Sequence, residues 1–208
     1  MRKSTLLFGL LCSALFFCTG VINAAGNYIP VRLPKGVSVE LPKNWKIQSD
    51  NNRILVNSWL EAKGWIDGTS AKAFTAHYFD DTDRMRAIFN IHYYPDLEVT
   101  QAEARAFSKA DVKELNRLLR LDLEASCDTT GMKIIDWVGT TKKNINGATV
   151  FVTEYRRSPS MKGSNNFCVR LVRILNEKKS FTIVISYDEQ MAFLLRPICD
   201  KIINSIRI

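Results

Sequence analysis

The stretch from Gly147 to Ile208 constrains this chain more than any other. Three strand-like runs, Ala148 to Arg156, Phe167 to Leu175 and Ser180 to Tyr187, follow one another and lead directly into an amphipathic helix. Each run is rich in Val, Ile, Phe, Tyr and Thr, residues that suit a half-buried pleated surface. The connections, containing Ser158-Pro159, Gly163-Ser164-Asn165-Asn166 and Asn176-Glu177-Lys178-Lys179, are too short for a parallel crossover. The runs are therefore expected to pair antiparallel, each with its neighbour. Asp188 can cap the closing helix, whose apolar face is Met191, Leu195, Ile198, Ile202 and Ile206. Pro197 removes an amide donor inside that pattern, so a kink or break is expected there.

Upstream, Ile29 to Leu33 and Val37 to Leu41 flank Pro34-Lys35-Gly36 and read as a hairpin, with Trp45 behind Leu41-Pro42 closing one end of a sheet. Arg53 to Leu60 is a weaker strand, and Trp59, Trp65 and Ile66 are expected to fold onto the core. Ala73 to Phe79 and Arg86 to Tyr94 form a second hairpin about the solvated turn Asp80 to Asp83. Thr100 with Glu103, and Ser108 with Asp111, are two capping signals in succession, which predicts a short helix followed by a long one. Val112, Leu115, Leu119, Leu123 and Cys127 give the long helix one apolar face, and Gly131 ends it. Met132 to Thr141 returns as a strand, turning at Asn146-Gly147, where both residues tolerate positive φ.

Arg2-Lys3, the apolar run Leu6 to Phe17 and the small pair Ala24-Ala25 have the order of a secretory leader. Cleavage after Ala24 is expected, with a single domain over residues 25–208 that is periplasmic or secreted. Cys18 offers an alternative, acylation as a lipoprotein, opposed by the bulky Phe17 before it. No later run is long and apolar enough to span a bilayer. The formal charge of +8 falls to +6 without Arg2 and Lys3. Such an excess is compatible with an anionic partner surface, but a merely soluble basic surface is the simpler reading of it.

The order of parts, with Leu41-Pro42-x-x-Trp45, Ile145-Asn146-Gly147-Ala148 and the ending Ile203-Asn204-Ser205-Ile206-Arg207-Ile208, resembles the Mog1/PsbP-like superfamily. Within it, the likeness is to the bacterial PsbP-related group labelled DUF1795, which includes the envelope protein DcrB. The resemblance implies an α/β (α+β) fold: an α/β/α sandwich with a central, mainly antiparallel sheet and helices on both faces. Members share binding rather than a reaction, so it implies no catalytic residue here.

Chemistry gives the same expectation. His77 and His92 are the only histidines, and no Gly-x-Ser-x-Gly or His-Glu-x-x-His motif is present. Pairing about Asp80 to Asp83 sets His77 opposite Ile88 and His92 near Ala73, roughly 13 Å apart on one face, too far for one ion. Neither cofactor nor metal is expected, and nucleic acid is excluded by the small basic excess and the missing aromatic platform. The expected function is that of an exported, non-catalytic binding or accessory protein of the bacterial envelope, meeting an envelope protein or small ligand. The alternative is a hydrolase or metal-dependent enzyme whose site no motif reveals. Candidate contacts to an anionic partner are Arg156, Arg157, Lys162, Lys178 and Lys179, although Arg170 and Arg173 differ in strand parity and split the basic cluster between two faces. Of the three cysteines beyond the leader, chain direction places Cys127 and Cys168 at one end of the sheet. It places Cys199 about 15 Å further down a helix. A Cys127–Cys168 disulfide is expected, with Cys199 a buried free thiol.

Overall fold

Alternation of apolar residues in the meander forces two-sided burial, and the computed structural model shows how it is met. It describes residues 27–32, 36–48, 72–94, 99–159, 163–176 and 180–208. The leader, the Arg53 to Leu60 strand with Trp59, Trp65 and Ile66, and the loop residues Lys162, Lys178 and Lys179 lie outside the described residues.

A two-stranded sheet pairs β1 (Tyr28–Arg32) with β2 (Ser38–Pro42). The main sheet contains β3 (Lys46–Ile47), β4 (Lys72–Phe79), β5 (Met85–Tyr94), β6 (Ile134–Ile145), β7 (Ala148–Arg157), β8 (Phe167–Ile174) and β9 (Ser180–Asp188), in the order β3-β4-β5-β9-β8-β7-β6. Every described pairing is antiparallel. The meander forms as expected, and Asn146 and Gly147 take φ of 50° and 88° at its first turn.

Helices α1 (Gln101–Ala106) and α2 (Lys109–Thr129) each begin with a complete capping box, Thr100 with Glu103 and Ser108 with Asp111. The chain is thus stopped and restarted where the side chains direct it. A 3₁₀ turn (Glu189–Met191) leads into α3 (Ala192–Asn204), which continues through Pro197. The expected break is absent. The bond Pro197 forgoes is the one to the Phe193 carbonyl, on a turn whose Phe193 side chain is exposed.

Period-two alternation divides the sheet between two cores. On one face Val150, Val152, Val172, Ile174, Ile183, Ile185, Phe89 and Ile91 pack with Leu195, Cys199 and Ile202 of α3 and with Val37, Val39 and Leu41 beside β1. Complete burial of such side chains contributes about 1.5 to 3 kcal/mol each. Asn146 Nδ2 ties this layer together by donating to the carbonyls of Asn204 (2.8 Å) and Ile206 (2.7 Å). On the other face, Tyr155, Val169 and Leu171 meet Leu123 of α2 and Ile134 and Trp137 of β6. The result is an α+β sandwich with helices on both faces.

This division corrects the disulfide expectation. Cys127, Cys168 and Cys199 are all free thiols. Cys168 stands opposite Arg156 and Tyr187 in the ladder and packs on the α3 side. Cys127 is buried in the last turns of α2, on the side of Tyr155. The two cysteines share an end of the sheet, as chain direction requires, but the sheet lies between them.

Candidate functional site

At the end of the sheet where β9 finishes, one row of side chains crosses five strands on the α2 face. Ile134 stands opposite Arg157, Arg157 opposite Phe167, and Phe167 opposite Asp188. Arg86 of β5 completes the row by donating from Nη1 to Asp188 Oδ2 at 2.5 Å. Above this row lies a cleft of about 540 Å³ lined by Arg84, Arg86, Arg157, Asn165, Phe167 and Asp188, with Met85, Ile88, Pro159, Gly163 and Ser164 completing its walls. That volume lies within the ordinary range for small-ligand sites.

The turn expected to be merely solvated anchors Arg86, which lines the cleft. Asp80 Oδ1 accepts from the Thr82 amide (2.9 Å), the Thr82 hydroxyl (2.6 Å) and the Arg84 amide (3.1 Å), while Oδ2 accepts from Arg86 Nε at 2.6 Å. The Thr82 hydroxyl and Arg86 are the main reasons its carboxyl lies well below the ordinary carboxylate range. Asp83 completes the turn at φ 58°. Arg86 is thereby held between two carboxylates, Asp80 and Asp188, and is fixed in place.

Asp188 has two roles. Its Oδ1 caps the 3₁₀ turn by accepting from the Gln190 amide at 2.9 Å, and its Oδ2 accepts from Arg86 and from Asn165 Nδ2 at 2.8 Å. Burial alone would raise its pKa, but the bonds from Asn165, the Gln190 amide and Arg86 outweigh it and leave it lowered. Asp188 therefore remains an anion within a mainly cationic cleft.

Arg157 is the unusual member. Its guanidinium lies over the Phe167 ring at 5.1 Å and donates to Met132 Sδ and to the Ser158 carbonyl at 3.2 Å. Among the described residues no carboxylate is within ion-pair distance of it, and burial lowers its pKa. A partly desolvated cation with only neutral acceptors is an open electrostatic position.

The other sequence candidates are placed differently. Arg156, the preceding residue, faces the α3 side and pairs with Asp136 (3.2 Å) and with Glu189. Arg170 is buried on that side against Asp200, with Glu154 at 3.5 Å, while Arg173 has the opposite parity. His77 stands opposite Ile88 and His92 opposite Thr182, on one face as expected, and neither lines the cleft. Among the described residues no cluster of three or more His, Cys, Asp or Glu could hold a metal ion. Arg84, Arg86 and Asn165 were not among the sequence candidates. Their only local signal is the strand parity that sets Arg86 on the same face as Ile88.

Comparison with solved structures assigns the class of fold. The chain superposes on the cyanobacterial PsbP protein CyanoP of Synechocystis sp. PCC 6803 with a TM-score of 0.56 at 14% identity, over 93% of this chain and 98% of that one. Weaker superpositions are found with PA94 of Pseudomonas aeruginosa, a protein of unknown function (TM-score 0.42, 17% identity, 88% and 98% covered). LpqN of Mycobacterium tuberculosis, involved in cell envelope biogenesis, gives a TM-score of 0.41 at 11% identity (86% and 88% covered). This is a PsbP-like fold, and the likeness to CyanoP carries that assignment. No protein-family profile matches the chain. No curated protein matches it either. Among the described residues no helix is long and apolar enough to cross a membrane.

Proposed function

We propose that this chain is an exported, non-catalytic accessory protein of the bacterial envelope, related to the DUF1795 group, that works by holding a ligand or partner group in the cleft at the end of its sheet. The observation that carries this reading is Arg157, a partly desolvated guanidinium that lines the cleft and has no carboxylate partner among the described residues. A binding protein uses such a group by completing its electrostatics with an anion from outside. The Arg2-Lys3, Leu6 to Phe17, Ala24 pattern supports export. The two histidines do not line the cleft, whose charged and donor side chains support a binding role over histidine-based catalysis.

The test joins fractionation to capture. The tagged chain, expressed in a bacterial host, is expected in the envelope fraction as a soluble species beginning near Ala25. Wild type should retain an envelope component that Arg157→Met does not, while Arg156→Ala should retain it. Full-length protein confined to the cytosol would overturn the export reading. Capture indifferent to Arg157→Met would overturn the role of the cleft.

A further inference from the structure

We infer that the cleft is an oxyanion site that takes the phosphate of an organic phosphomonoester. This inference rests on the reading of the cleft as the binding site and adds the chemistry of its occupant.

Charge accounting within the cleft leads to this class of ligand. Of its three guanidiniums, Arg86 is shared between Asp80 and Asp188. That pairing also occupies Asp188, the only carboxylate among the described residues that line the cleft, and Asn165 holds the same oxygen. Arg84 and Arg157 remain, and among the described residues neither has a carboxylate within ion-pair distance. Two cations without a carboxylate partner, Arg84 just before β5 and Arg157 on β7, border the same cleft and together call for more negative charge than a single carboxylate carries. A phosphomonoester brings about −1.5 to −2 near neutral pH, with three acceptor oxygens. The planar donor fork of arginine matches such oxygens in pairs.

The remaining walls fit an ester rather than a free ion. Met85, Ile88, Pro159 and Phe167 provide an apolar side next to the cationic one, and the cleft is larger than a lone phosphate requires. The loop residues Gly163-Ser164-Asn165 line it, and Gly163 adopts φ 84°, open to glycine at low cost. Its small side chains allow a ligand to approach the backbone. Burial already disfavours the bare charge on Arg157, so an anion placed against it restores what desolvation removed.

Glycerol 3-phosphate, inorganic phosphate, acetate and phosphatidic acid in phosphatidylcholine vesicles are the probes, used with the purified full chain. Calorimetry and backbone NMR should show glycerol 3-phosphate binding about tenfold or more tightly than acetate, with shifts at Gly163, Ser164 and Asn165. Affinity should rise between about pH 5 and 7.5 as the second phosphate proton leaves. Arg157→Met and Arg84→Ala should each weaken binding about tenfold with an unchanged NMR fold signature. Arg156→Ala, on the opposite face, should leave binding unaltered. Binding to the soluble ester alone assigns a soluble source, and binding to phosphatidic acid vesicles in competition with glycerol 3-phosphate assigns a lipid headgroup. Either result supports the inference. Absence of binding to both glycerol 3-phosphate and phosphatidic acid vesicles, or binding indifferent to Arg157→Met, overturns it. If phosphate fails while Arg157→Met still abolishes capture of an envelope component, the cleft survives as the binding site and only the phosphomonoester assignment is lost.

Discussion

Arg156 and Arg157 are neighbours in sequence, but the sheet separates their guanidiniums. Arg156 is held on the α3 side by Asp136 and Glu189, and Arg157 lies over Phe167 on the α2 side. Their substitutions should therefore differ in kind. The Arg156 pairs are partly exposed and screened by solvent, so Arg156→Ala should lower stability only slightly. Arg157→Met keeps an unbranched chain on the ring and removes a charge that burial disfavours. Its unfolding midpoint in urea should equal that of wild type or exceed it. A large destabilisation by Arg157→Met would show that the guanidinium is compensated within the folded chain.

That contrast also marks where sequence reasoning succeeds and where it stops. Local signals were legible: Thr100 with Glu103 and Ser108 with Asp111 cap the helices they announce. Register about the Asp80 turn sets His77 opposite Ile88. These features depend on residues a few positions apart, with strong steric or hydrogen-bonding preferences. The β5 to β9 pairing depends on segments far apart in the chain, and no turn announces it. The cleft inherits that difficulty, because it joins Arg86 to Asp188 across this pairing. For the cysteines, chain direction gives an end of the sheet but not a face.

The thiols provide the corresponding test. Cys199 is completely buried and its pKa is pushed up to about 12 by burial, and burial raises Cys127 as well. Cys168 is also raised by burial but is only partly enclosed. Native-state alkylation should therefore modify Cys168 first, with Cys127 and Cys199 about tenfold slower or more. Non-reducing peptide mapping should recover no Cys127–Cys168 peptide. Its recovery would show that the faces are wrongly assigned.

Acid stability should depend on Asp80. Its carboxyl is held below the ordinary range in the folded chain, chiefly by the Thr82 hydroxyl and Arg86. A carboxylate lowered on folding stabilises the native state above its unfolded pKa of about 4. That contribution is lost as pH falls through the folded value. Urea midpoints of wild type should therefore decline as pH is lowered below about 4. Asp80→Asn should start lower at neutral pH and show a shallower decline. An identical pH slope in the two proteins would refute the role given to Asp80.

The bulged edge strand permits a test of coupling between helix and sheet. Asn116 Oδ1 on α2 accepts from Trp137 Nε1 at 3.1 Å and from the Thr140 amide at 2.8 Å. Between these donors Gly139 has φ 116°, and a Cβ there would stand 3.3 Å from the same Asn116 oxygen. Asn116→Ala leaves two donors without their acceptor and should cost about 1 to 3 kcal/mol. Gly139→Ala adds both backbone strain and crowding, for a cost also of about 1 to 3 kcal/mol. Removing the Asn116 side chain relieves the crowding but not the strain. The double variant should therefore lose less than the sum of the single losses, with a coupling of about 0.5 kcal/mol or more in a double-mutant cycle. Strict additivity in urea unfolding would mean that Asn116 and Gly139 do not share this contact.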